Sequence, residues 1–264
     1  MKRKILTTLA LCTSLAMPIT FTQPTQAATV KLNKSAITIY KGKTYKLKVS
    51  GTKAKVKWTS NNKKVATVTS TGIVKGVKKG TTYVNAKVGS KTLKCKVTVK
   101  YKQGSRELPF SAYIKKDLSL YNYSGSQKVQ LKLLECIDGE EANEIIAEEN
   151  MFNDLPNNNN RWVLYHFNLK YIEGNDELSA SDVISAHDFY NENSTRKIEV
   201  ETASFAHNLD GKGIYDVRLY EGGESDFYIG ALLDNSIEYI TFKIRVAKTN
   251  DALGYDEVWF TTKK

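Results

Sequence analysis

Few side chains in this sequence stand at spacings that support catalysis. The three histidines are His166, His187 and His207. None lies at metal-ligand spacing from another histidine or a cysteine. No G-x-S-x-G elbow occurs. The 28 acidic residues offer many carboxylate pairs, so no single pair argues for glycoside hydrolysis. Oxygen-bearing clusters at Asn153-Asp154, at Asn175-Asp176-Glu177 and over 251–257 lack the twelve-residue pattern of a calcium loop. Cys95 and Cys136 are an even pair, which permits a disulfide in an exported protein. Cys95, however, sits in the apolar alternation Leu93, Cys95, Val97, Val99, where a thiol acts as a small hydrophobe. The expectation is a protein that is not an enzyme, with no metal and no cofactor.

The remaining chemistry is charge. Residues 28–105 carry 20 lysines, no arginine and no acid, a charge of +20. Residues 106–264 carry 16 basic residues and all 28 acids, a charge of −12. Asymmetry this sharp marks a domain boundary and separate electrostatic roles. Candidate polyanion contacts are Lys46, Lys48, Lys55, Lys57, Lys87, Lys94 and Lys96, each alternating with apolar neighbours. Lysine is a hydrated point charge without the planar fork of arginine, so the attraction expected is diffuse and salt-sensitive. The partner expected is an anionic cell-wall polymer, or a surface glycan or protein. Nucleic acid is not expected for an exported chain. A second reading docks the two halves on each other through opposite charge. A third treats the lysines as solvated strand residues that block edge-to-edge aggregation.

The acidic half holds its own candidates. Over Glu140 to Asn150 the pattern predicts a helix, with Ile145 and Ile146 as a narrow apolar face. Glu140, Glu144 and Glu148 fall on one acidic stripe at i, i+4 spacing, with Glu141 and Glu149 beside them. Trp162 lies on the mixed face of a strand and is a candidate for stacking on sugar.

The elements that must carry these side chains are strands. Tyr45, Leu47 and Val49 alternate with Lys46 and Lys48. Val56 and Trp58 alternate with Lys55 and Lys57. Thr82, Val84, Ala86 and Val88 alternate with Tyr83, Asn85 and Lys87. Period-two alternation with one wet face is the pattern of an antiparallel sheet. Farther on, Val163, Tyr165, Phe167, Leu169 and Tyr171 share one face, and Ile240, Phe242, Ile244 and Val246 another. The fold class expected is mainly β, with two immunoglobulin-like β-sandwich domains in tandem and a short helical insertion in the second. The domains are placed at 28–101 and 107–264, joined at 102–106 by a polar, glycine-containing segment expected to be a flexible joint.

Residues 29–99 resemble the bacterial immunoglobulin-like domain, group 2. The resemblance is carried by Gly42 and Thr44, by "VKWTSNNKKVATV", by "TGIVKGVKKGTTYVNA" and by the closing "CKVTV". It implies a non-catalytic β-sandwich used as a spacer or adhesive module on exported surface proteins. Residues 107–264 resemble a telokin-like immunoglobulin-fold domain of exported bacterial proteins. "EEANEIIAEENMFNDLP", "RWVLYHFNLKY", "ELSASDVISAHDFYNENS", "LYEGGESDFYIGALLD" and "VWFTTK" carry that likeness. It implies an interaction fold and transfers no site residue.

The first 27 residues read as a secretory signal: Lys2, Arg3 and Lys4, then the apolar run Ile5 to Met17, then Thr25-Gln26-Ala27 before the cut. Leu11 before Cys12 argues against lipidation, and no segment is long and apolar enough to span a membrane. The location expected is secreted and associated with the cell surface.

Overall fold

The structure, a computed structural model, describes residues 29–122, 125–185, 188–198, 203, 209–248 and 251–264. The signal-peptide segment, His187 and His207 lie outside the described residues.

The first half contains nine strands. They are β1 (Lys31–Leu32), β2 (Ala36–Tyr40), β3 (Thr44–Lys46), β4 (Val49–Ser50), β5 (Lys57–Ser60), β6 (Ala66–Val68), β7 (Ile73–Gly76), β8 (Gly80–Val88) and β9 (Lys91–Lys100). One layer has the order β2-β9-β8-β5, the other β3-β7-β6, and β1 pairs with β4. The alternation dictates the packing. Ile37, Ile39, Val84, Cys95, Val97 and Val99 from the first layer meet Leu47, Ala66 and Val74 from the second. Burying each large aliphatic contributes about 1.5–3 kcal/mol. The expectation of a wholly antiparallel sheet needs one correction: β2 runs parallel to β9, with Ala36 beside Lys96 and Tyr40 beside Lys100. The first and last long strands of this half lie side by side in the same direction. Alternation fixes faces and says nothing of strand direction.

Gly72 is required between β6 and β7. Its φ is +84°, and a Cβ there would lie 2.7 Å from the Leu47 carbonyl oxygen and 2.8 Å from the Trp58 ring.

The second half comprises β10 (Phe110–Ser111), β11 (Lys116–Asn122), β12 (Gly125–Asp138), α1 (Glu140–Glu149), β13 (Asn160–Glu173), β14 (Leu178–Ser179), α2 (Ala180–Val183), β15 (Phe189–Tyr190), β16 (Arg218–Leu219), β17 (Glu224–Asp234), β18 (Thr241–Lys248) and β19 (Asp251–Thr261). The hydrogen-bonded path runs β10-β19-β18-β11-β12-β13-β17, with β15 also on β18 and a separate β14-β16 pair. The path folds over on itself. β11 and β18 share the single register pair Leu120–Val246. Phe167 of β13 and Phe242 of β18, three strands apart along the path, meet edge to face with centroids 5.8 Å apart. Phe227 stacks on Phe167 and Phe260 on Phe242, each at 5.3 Å. The two layers are therefore β11-β12-β13-β17 and β15-β18-β19-β10, closed on a continuous aromatic and aliphatic core. The chain is a tandem of β-sandwiches, mostly strand, with α1 inserted in the second. Among the described residues no helix is long and apolar enough to cross a membrane.

The joint between the halves is not a free linker. Gly104 N–H donates to Leu108 O at 2.8 Å, and Trp259 N–H donates to Gly104 O at 2.9 Å. The Gln103 amide donates to Pro109 O at 2.9 Å. Gly104 packs so closely on Phe110 that a Cβ would lie 2.3 Å from the ring. Arg106 lies over the Trp259 ring and donates to Ser194 O. Polar composition and a glycine suggested flexibility, but here the glycine serves close approach and the Gln103 amide is hydrogen-bonded. Lys41 pairs with Glu107 across the joint.

Candidate polyanion-binding face

The outer face of the β2-β9-β8-β5 layer is built by register. Lys57 lies opposite Lys87 and Thr59 opposite Asn85. Across the next ladder, Lys87 pairs with Thr92, Asn85 with Lys94 and Tyr83 with Lys96. Adjacent strands lie about 4.8 Å apart, so these side chains form one continuous surface. Lys57, Lys87, Lys94 and Lys96 are all exposed on it. None of the four makes an ion pair among the described residues.

Between them is a shallow depression of about 350 Å³ lined by Lys57, Thr59, Asn61, Asn85, Lys87, Thr92 and Lys94. The Asn85 amide donates to Asn61 Oδ1 at 2.7 Å, while Asn85 Oδ1 has no partner. The site thus offers three ammonium groups over a neutral amide and hydroxyl floor. Alternation put Asn85 on the wet face, but neither it nor Thr59, Asn61 or Thr92 was expected to line the site. The register that brings them under the lysines is set by the β8–β9 hairpin, which alternation alone does not fix.

The seven predicted lysines do not form one site. Lys46 is on β3 in the opposite layer, beside Ile73, and its Nζ donates to Thr71 O. Lys48 follows β3, its backbone N–H donating to Asn33 Oδ1 at 2.8 Å. Lys55 is exposed in the loop before β5. The reason is topological: β3 belongs to the layer opposite β5, β8 and β9, and Lys48 and Lys55 lie outside the strands, so alternation along one strand does not say which surface a lysine joins.

The acidic residues expected on α1 differ in exposure. Glu140, Glu144 and Glu148 are exposed. Glu149 is buried, and its Oε1 accepts from Leu209 N–H at 2.8 Å. Ala142 and Ile146 of α1 pack on Trp162 and Leu164. Trp162 is only 2% exposed. Its backbone N–H donates to Asn143 Oδ1 and its indole N–H to Asp154 O, both at 2.9 Å. It is an anchor for the helix and cannot stack on a sugar.

His166 Nε2 lies 3.0 Å from Asp226 Oδ2, and its ring stacks on Tyr228 at 4.4 Å. The Asn168 amide donates to Asp226 Oδ1 at 2.9 Å. Burial works against the Asp226 carboxylate, but the hydrogen bonds from Asn168 and His166 outweigh it and hold the group below the usual carboxylate range. Both cysteines are free thiols. Burial raises the Cys95 thiol, and burial assisted by Asp138 pushes Cys136 up to about 11, so neither presents a thiolate at neutral pH. Of the oxygen clusters, Glu177 is engaged by Arg218 at 3.0 Å. Among the described residues no group of three or more His, Cys, Asp or Glu could hold a metal ion.

Residues 26–99 match the family model of the bacterial Ig-like domain (group 2). No curated protein shows a significant match. Solved structures with similar arrangements include domains 5–6 of the S-layer protein SbsC, at 16% identity, TM-score 0.26, covering 88% of this chain and 96% of that one. The Bacillus subtilis protein YcdA is similar over 56% of this chain and 37% of its own, at 8% identity and TM-score 0.35. A marsupial T cell receptor is similar at 9% identity and TM-score 0.22, over 89% and 99% of the two chains.

Proposed function

We propose that this is an exported, non-catalytic surface protein whose first domain holds an anionic envelope polymer by electrostatic attraction while its acidic second domain is presented outward. The single observation that carries the reading is the lysine face. Lys57, Lys87, Lys94 and Lys96 converge on one sheet surface within a domain that contains no carboxylate. Such a face must draw its counter-charge from outside its own domain. The polar floor of Thr59, Asn61, Asn85 and Thr92 suits a hydroxyl-bearing polyanion, to which it offers hydrogen bonds between the charges. The bacterial Ig-like match over residues 26–99 and the signal-like first 27 residues support the surface location. The second domain is read as a telokin-like immunoglobulin fold that serves as an interaction module.

The test compares the full chain with a variant carrying Lys57→Ser, Lys87→Ser, Lys94→Ser and Lys96→Ser in co-sedimentation with isolated Gram-positive cell wall. The expected result is at least about a tenfold loss of binding at low ionic strength, as follows when several exposed charges act within a Debye length. Equal binding by both proteins contradicts the reading.

A further inference from the structure

The segment between α1 and β13 carries an apolar tip that the function above leaves unused. Met151 is 86% exposed, Phe152 85% and Leu155 79%. Three large apolar side chains this bare within five residues mark an interaction surface. The tip is pinned to the fold. Phe152 N–H donates to Asn150 Oδ1 at 3.0 Å, and the Asn153 amide donates to Ile146 O at 2.8 Å. The Trp162 indole holds Asp154 O from below. Beside it runs the exposed stripe Glu140, Glu144 and Glu148.

Charge identifies the occupant. An apolar tip that follows a glutamate-striped helix is disfavoured on anionic lipid and fits a cationic surface with some apolar area. This chain carries one on its other domain. The lysine face presents Lys57, Lys87, Lys94 and Lys96 around Tyr83, which is 44% exposed. The repeats also correspond. Glutamates at i, i+4 rise about 6 Å along a helix, and Lys94 and Lys96, on one face of β9, lie about 6.7 Å apart. Among the described residues no ion pair joins Glu140 or Glu144 to the lysine face of its own chain.

We propose that α1 and the Met151–Leu155 tip of one molecule dock on the lysine face of a second copy. The two patches are different surfaces, so the contact is head to tail and builds rings where the rotation closes and open chains where it does not. It uses the same lysines as the polymer reading, so polymer and second copy compete for them, but it stands without that reading.

The test is sedimentation velocity of the full chain without its first 27 residues, up to about 200 μM and at about 20 mM salt, where exposed charges interact over roughly 20–30 Å. Three variants accompany it, each checked for fold by circular dichroism. The first carries Lys57→Glu, Lys87→Glu, Lys94→Glu and Lys96→Glu. The second carries Glu140→Lys, Glu144→Lys and Glu148→Lys. The third carries Met151→Ser, Phe152→Ser and Leu155→Ser. The expected result is association of the wild type that is lost in the first and second variants alone and restored when those two are mixed. The third weakens association about tenfold while leaving cell-wall binding unchanged. A wild type that stays monomeric, or charge variants that associate alone or fail to associate together, overturns the proposal. Tip-dependent binding to neutral phosphatidylcholine vesicles without self-association assigns the tip to lipid and also overturns it.

Discussion

Lys57 and Lys87 are direct cross-strand partners in the β5–β8 ladder. Like charges so placed destabilise a sheet by about 0.2–1 kcal/mol, and residues 28–105 contain no carboxylate to offset them. Stability and binding are therefore opposed at this pair. Lys57→Glu should raise the stability of the first domain by about 0.5 kcal/mol and weaken cell-wall binding. Urea unfolding and co-sedimentation on the same preparation check both. A variant that loses stability and binds as before contradicts the assignment.

Thr82 exposes a second tension. Its hydroxyl is buried on β8 without a partner. Thr82→Val keeps the shape and removes the desolvated oxygen, so it should stabilise the chain by about 1 kcal/mol. The midpoint of chemical denaturation reads this directly.

Gly72 combines a left-handed backbone with contact against Leu47 O and the Trp58 ring. Gly72→Ala should destabilise the first domain by about 2 kcal/mol or more, from backbone strain and displacement of Trp58. Trp58 fluorescence should shift in the native baseline.

Trp162 tests burial against ligand stacking. Trp162→Ala should cost about 3–5 kcal/mol and detach α1, visible as lost helical ellipticity. Trp162→Phe should retain most of the helix while losing the bond to Asp154 O.

The pH dependence follows from Asp226. Its folded carboxyl titrates below its unfolded value, so its contribution is present above the ordinary carboxylate range, near pH 4, and is lost as pH falls through the folded value. Asp226→Asn should flatten the acid limb of the stability profile between about pH 4 and pH 2. Thermal melts across that range measure it.

Much of this was legible in residue order. The alternation at Leu93, Cys95, Val97 and Val99 and at Val163 to Tyr171 gave the buried faces, because period two maps directly onto a pleated sheet. What was hidden depends on contacts distant in sequence. Trp162 and Leu164 fall on the wet face by alternation and are buried because α1 returns over them. Glu149 looks like one more surface glutamate until Leu209 N–H arrives. The seven lysines do not share one surface because β3 belongs to the layer opposite β5, β8 and β9 and Lys48 and Lys55 lie outside the strands, which local pattern does not encode. The joint at Gly104 looked loose because Trp259, which bonds its carbonyl, comes from a distant strand and Phe110 restrains it through packing.

The central claim is that charge on the lysine face drives binding. The most direct measurement is the affinity of the full chain for isolated cell wall as salt rises from about 50 to 200 mM, across which screening shortens from roughly 14 to 7 Å. The account predicts a linear fall of log affinity with log salt, with a slope reduced in the Lys57, Lys87, Lys94, Lys96→Ser variant. Affinity that does not change across that range contradicts it.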